Sequence, residues 1–140
     1  MTTDDATPRG VRNNNPGNIR HGAPWVGLAP TQTDPAFCQF IDPQHGIRAL
    51  CKVLLAYQQT HGLTTIRQMI DRWAPPADGN ATAAYVQFVS GRCGVDPDAA
   101  FDVTAAGNLA TMAAAIIAQE CANYAYPASL VDAAVGMALG

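Results

Sequence analysis

From residue 42 onward, apolar residues recur every three or four positions, the spacing of helices that bury one face. Asp42 before Pro43 is a helix N-cap with proline at the first helical position. Ile47, Leu50, Cys51, Leu54 and Tyr57 then share a face, and Gly62 ends the run. Thr64 is read as the cap of a second helix carrying Ile66, Met69, Ile70 and Trp73, stopped by Pro75-Pro76. Asn80 or Thr82 opens a third, with Tyr85, Phe88 and Val89 inward and Gly94 at its end. Asp102 or Thr104 opens a fourth with the stripe Leu109, Met112, Ala113, Ile116, Ile117. A fifth follows Pro127 and carries Leu130, Val131, Ala134, Val135 and Ala138.

Before residue 42 this rhythm is absent. Residues 1–9 read as a flexible tail, and the stretch to Pro35 is rich in Asn, Gly and Pro, which is loop chemistry. Trp25-Val26 and Phe37-Cys38-Gln39-Phe40-Ile41 read as short strands, forming a β-hairpin or a small sheet. The expectation is a single α+β, mainly helical domain over residues 10–140, with about five helices and a small β-hairpin near the N-terminus.

Composition narrows the function classes. The 140 residues are 49% apolar but only 14% charged, which excludes a disordered chain. A formal charge of −3 argues against a nucleic-acid or membrane-surface partner. No segment reads as a secretory signal or a membrane span. Cys38, Cys51, Cys93 and Cys121 contain no Cys-x-x-Cys pair, so a zinc site is not expected. Whether they are bridged or free is left open. No metal or other cofactor is expected.

Eleven residues are acidic, and ten of them are Asp. Glu120 is the single glutamate. It extends the stripe 109, 113, 116 by one step, so it belongs to the end of an apolar helix face. Burial and the negative end of a helix both disfavour an ionised carboxyl group. A carboxylic acid that keeps its proton is what a general acid for glycosidic cleavage must be. The alternative is a glutamate that turns outward or pairs with an arginine.

The motifs carry a resemblance. Arg9-Gly10-Val11-Arg12-Asn13-Asn14-Asn15-Pro16-Gly17-Asn18-Ile19-Arg20, Trp25-x-Gly27, Phe37-x-x-Phe40, Gly46-Ile47-Arg48-Ala49, Arg72-Trp73-Ala74-Pro75-Pro76, Asn80-x-Thr82-x-x-Tyr85 and Ile116-Ile117-x-x-Glu120 span nearly the whole chain. Together they resemble a family of small proteins of phages and prophages of Gram-negative bacteria, labelled virion structural proteins or peptidoglycan hydrolases. That family commonly has Asn-Gly after the glutamate, where this chain has Cys121-Ala122. A more distant resemblance is to lysozyme-like bacterial glucosaminidases of the flagellar and autolysin type. Their Asn-rich segment, Trp-x-Gly, aromatic hairpin and aromatic-Ala motif are similar, in order, to Asn14–Ile19, Trp25-x-Gly27, Phe37–Phe40 and Trp73–Tyr85. The glutamate helix leads in those enzymes, whereas here Ile116–Glu120 comes last. The resemblance therefore implies a circularly permuted lysozyme-like domain, a rearrangement open to domains whose termini lie close together.

It also implies roles. Glu120 would be the general acid, and Asp34, before the aromatic strand, the second catalytic carboxylate; the alternative for Asp34 is a turn residue before Pro35. Trp25, Trp73, Tyr85 and Tyr124 would offer surfaces to sugar rings, and Asn15, Asn18 and Arg20 donors to N-acetyl or carboxylate groups. The substrate would be the peptidoglycan glycan strand, cut by a muramidase, a glucosaminidase or a lytic transglycosylase. The protein would be a monomer acting in the periplasm. A virion, a holin-type lesion or a secretion machine of type VI kind would deliver it, with virion or secretion proteins or an immunity protein as partners. Two rivals stand beside this: a non-catalytic virion structural or wall-binding protein, and a cysteine peptidase using Cys38 near His45 or Cys51 with His61.

Overall fold

Six α-helices follow one another in the computed structural model, which describes residues 7–140. They are α1 (Arg9–Arg12), α2 (Pro43–Gln59), α3 (Ile66–Trp73), α4 (Thr82–Cys93), α5 (Ala106–Glu120) and α6 (Ala128–Leu139), with a 3-10 turn at Pro76–Asp78. Residues 1–6 of the expected tail lie outside the described residues. Its last residue, Arg9, opens α1 instead.

The helix starts follow from local hydrogen bonding. Asp42 caps α2, its Oδ1 accepting the His45 N–H at 2.9 Å. The cap of α3 is Thr65, one residue later than expected. Its hydroxyl oxygen accepts the Gln68 N–H, and the Gln68 side chain reaches back to the Thr64 N–H, a near-reciprocal cap. Thr82 begins α4, but its hydroxyl donates to the Ala74 carbonyl at 2.6 Å and ties α4 to the end of α3. Asp102 and Thr104 bond to each other in the turn before α5, which starts only at Ala106.

The apolar stripes meet in one core. Ile47, Leu50 and Leu54 of α2, Met69 and Ile70 of α3, Val86 and Val89 of α4, and Leu109, Met112 and Ile116 of α5 are fully buried or nearly so. α5 contacts α2, α4 and α6, and α2 packs along α6. Each such side chain contributes roughly 1.5–3 kcal/mol on burial, so the core holds the helices.

Residues 13–41 are built differently, and here the expectation of an α+β fold is corrected. No sheet forms among the described residues, and the only pairings near the N-terminus are the isolated bridges Arg20–Phe37 and Leu28–Phe40. The reason is visible in the backbone donors of residues 37–41. The N–H of Phe37 goes to the Asp34 side chain, that of Cys38 to the Ile19 carbonyl, and that of Gln39 to the Gln32 side chain. Those of Phe40 and Ile41 go to the carbonyls of Asn13 and Gly27. Every donor is satisfied, yet no single neighbour supplies the acceptors, so no ladder can propagate. Cys38, Phe40 and Ala49 form a second small core beneath this segment, flanked by Ile19, Trp25 and Leu28. Ala49 belongs to α2, and so the loops are seated on the helical body.

Candidate active site

α5 ends on Glu120, one step beyond its buried stripe, so the carboxylate emerges at the edge of the core. Two donors aim it. The Tyr85 hydroxyl of α4 donates to Oε2 at 2.8 Å, and Asn18 Nδ2 donates to Oε1 at 3.0 Å. Behind Tyr85, Trp73 Nε1 donates to the phenol oxygen at 3.0 Å. Trp73, Tyr85 and Glu120 thus form a chain of donors ending on the carboxylate. Tyr85 is almost wholly buried. Burial first, and then the adjacent Glu120 charge, push its phenol well above the usual range, so it remains an O–H donor.

Asn18 reaches across 102 residues of sequence because its loop is pinned from within. Asn15 is fully buried and uses its whole amide: Nδ2 donates to the carbonyls of Ile19 and Cys38, and Oδ1 accepts the Ile19 N–H. Asn14 and Asn18 both take left-handed backbone (φ 52° and 51°), which asparagine tolerates better than other side chains. At Gly46 any Cβ would overlap the Asn14 carbonyl, so α2 and the loop touch backbone to backbone.

Glu120 lines a cleft of about 380 Å³ with Asn18, Arg20, Phe37 and Trp73. Tyr57 of α2 and Asp78 and Asn80 from the turn after α3 complete its wall. The Arg20 guanidinium lies over the Phe37 ring at 4.9 Å and has no carboxylate partner among the described residues. A fixed cation, a hydrogen-bonded carboxylate and aromatic surface therefore share one opening. Such a site can hold a polar chain bearing acidic groups.

Of the residues named from sequence, Glu120, Asn18, Arg20 and Trp73 line the cleft, and Tyr85 stands directly behind Glu120. Four do not belong to it. Asp34 accepts from Arg9 Nε and Nη2 at 2.7 and 2.6 Å, from Asn13, and from the N–H groups of Ala36 and Phe37. The Arg9 bond, followed by that of the Phe37 N–H, holds its carboxyl far below the usual range. It is a turn anchor, spent on structure. Asn15 is likewise committed to backbone. Trp25 packs on the small core around Phe40. Tyr124 is partly exposed and stacks edge-on against Tyr126, away from the cleft.

The thiols offer no rival centre. All four cysteines are free, and none lines the cleft. Burial pushes Cys51 up to about 12 and Cys121 up to about 11, and raises Cys38 as well, so none is a ready thiolate. Among the described residues no group of three His, Cys, Asp or Glu side chains is placed to hold a metal, and no helix is long and apolar enough to cross a membrane.

The chain is similar to a phage protein. Over 91 residues it is 43% identical to Protein P5 of Pseudoalteromonas phage PM2. The match covers 62% of this chain and 56% of Protein P5, so the chain spans about half the length of the curated relative it matches. The sequence matches no protein-family model.

Sequence reasoning passed over Phe37 as a cleft residue, and also Tyr57, Asp78 and Asn80. Tyr57 belongs to a helix face in the sequence pattern, Asn80 to the start of the third helix, and Asp78 carries no sequence signal. Only in the folded chain do the turn after α3, α2 and the Asn-rich loop line one opening.

Proposed function

We propose that the chain cleaves the glycan strand of peptidoglycan, with Glu120 as general acid. The observation that carries the reading is the Glu120 carboxylate, the single glutamate of the chain, held in a cleft by Tyr85 and Asn18. In this mechanism Glu120 delivers its proton to the glycosidic oxygen as the bond to the anomeric carbon breaks. Tyr85 and Asn18 fix the carboxyl group so that little reorganisation is needed at that moment. Arg20 meets the acidic groups that muramic acid and its stem peptide bring, and Trp73 and Phe37 provide ring surface. The pairing of Asn18 with Glu120 also supports the permuted lysozyme-like arrangement that the motifs imply. The enzyme would work without a cofactor, as a monomer in the periplasm, carried there by a virion, a holin-type lesion or a secretion machine.

The test is clearance of purified sacculi by wild type and Glu120→Gln. Loss of the general acid lowers the rate by about 10²–10⁴-fold. Equal clearance by both proteins would sink the assignment.

A second reading rests on the likeness to a phage protein: a non-catalytic virion component that keeps the cleft for wall contact. It predicts sacculus binding by wild type and Glu120→Gln alike, with no muropeptide released by either.

A further inference from the structure

With Asp34 removed from the site, the cleft needs its other acid found by position. Ten aspartates are present, and Asp4 and Asp5 fall outside the described residues. Five of the remaining eight are committed. Asp34 holds Arg9, Asp42 caps α2, Asp96 accepts the Asp98 N–H, Asp98 pairs with Arg67, and Asp102 accepts from Gln58 and Thr104. The carboxylates of Asp71, Asp78 and Asp132 accept no hydrogen bond within the described residues. Asp78 alone of these three lines the cleft that holds Glu120.

Its backbone is fixed although its carboxylate is free. Pro75 and Pro76 stop α3. The Asp78 N–H then donates to the Pro75 carbonyl at 3.1 Å, and the Gly79 N–H to that of Pro76 at 3.0 Å. Gly79 turns the chain with φ 81°, a conformation that disfavours side chains. Asn80 Nδ2 donates to the Pro75 carbonyl, and Thr82 anchors to Ala74. The turn is therefore braced on both sides of Asp78. An unengaged carboxylate on a braced turn at the cleft wall is suited to taking a proton from water.

We propose that Asp78 is the second catalytic carboxylate, the base that activates water while Glu120 acts as acid. The inference rests on the glycan-cleaving reading above. Glu120 gives its proton to the glycosidic oxygen as the bond between that oxygen and the anomeric carbon breaks. A water molecule forms the new bond to that carbon, and its proton passes to Asp78. One product leaves as an alcohol, and the other carries a new hydroxyl at an inverted anomeric centre. Asp78 then releases its proton to solvent, and Glu120 regains one. One water is consumed, and both carboxyl groups return to their starting state. The reaction class is hydrolysis.

Wild type, Glu120→Gln, Asp78→Asn, Asp78→Ala and Asp71→Asn are compared on purified sacculi, with released muropeptides identified by mass spectrometry. The expected result is reducing ends from wild type and a loss of about 10²-fold or more in Asp78→Asn. Sacculus binding is unchanged, and Asp71→Asn behaves as wild type. Azide added to Asp78→Ala restores turnover and appears in the product as a glycosyl azide, which a merely structural residue would not allow. Anhydro ends from wild type would overturn the role of Asp78 and leave that of Glu120 standing. So would full activity in Asp78→Asn beside an inert Glu120→Gln. A wild-type protein that releases nothing overturns both readings.

Discussion

The helical body and the loop region of residues 13–41 are two solutions to the same problem of satisfying the backbone. In the body, each helix satisfies its own N–H and C=O groups, and the apolar stripes supply the cohesion. In the loop region the backbone finds partners one at a time. Asn15 serves Ile19 and Cys38, the Gln32 amide bonds to both the N–H and the carbonyl of Gln39, and Asp34 gathers Arg9, Asn13 and two N–H groups. The first solution tolerates change that preserves volume and period. The second depends on individual side chains. The cleft lies on the seam, with Glu120, Tyr85 and Trp73 from the body and Asn18, Arg20 and Phe37 from the loops. Its geometry is therefore only as firm as the docking of the loops on α2.

Breaking the body should cost the most stability. Leu109→Ala, three turns from Glu120 and fully buried, is expected to lower unfolding free energy by about 2–5 kcal/mol. In urea denaturation the midpoint should drop, while activity per folded molecule at low temperature stays near wild type. Breaking the seam should do the reverse. Gly46→Ala drives a methyl group into the Asn14 carbonyl and is expected to cost about 1–3 kcal/mol. Sacculus clearance should be lost under conditions where circular dichroism still reports intact helices. Retained clearance in this variant would show that the loops do not set the site.

Acid should loosen the loop region in a graded way. Asp34 has a folded pKa held below its unfolded value of about 3.9, so its contribution is complete above that pH and fades as pH falls beneath it. Asp42 shifts the same way at the junction of loop and α2. The melting temperature of wild type should fall between pH 5 and pH 3, and that of Asp34→Asn should start lower and fall less over the same range. Parallel curves would remove Asp34 as the acid-sensitive anchor. The smallest effect belongs to Tyr124→Ala, outside both the core and the cleft, with a change within about 0.5 kcal/mol and unaltered clearance.

Legibility followed the same division. Periodicity located the five long helices from their apolar stripes, and errors were confined to caps. Thr65 caps α3 in place of Thr64, whose N–H goes instead to the Gln68 side chain, and α5 begins late because Asp102 and Thr104 bond to each other. The same periodicity put Glu120 at the end of a buried face. Residues 37–41 read as a strand, but their hydrogen-bond partners are scattered over five segments, a fact of tertiary structure that no local pattern encodes. Asp34 read as a possible catalytic acid because its arginine partner is 25 residues away. Asp78 carried no signal in the sequence, because nothing in Pro-Ala-Asp-Gly says which way the turn will face.

By itself the sequence determined the helices, their buried faces and the uniqueness of Glu120, since each depends on neighbours within a few residues. The tertiary structure decided what Glu120 meets. Asn18 lies 102 positions away and Tyr85 35, and only packing brings their donors to one carboxylate. It also decided which aspartates are free, because an acid's partner is set by distance in space and not along the chain.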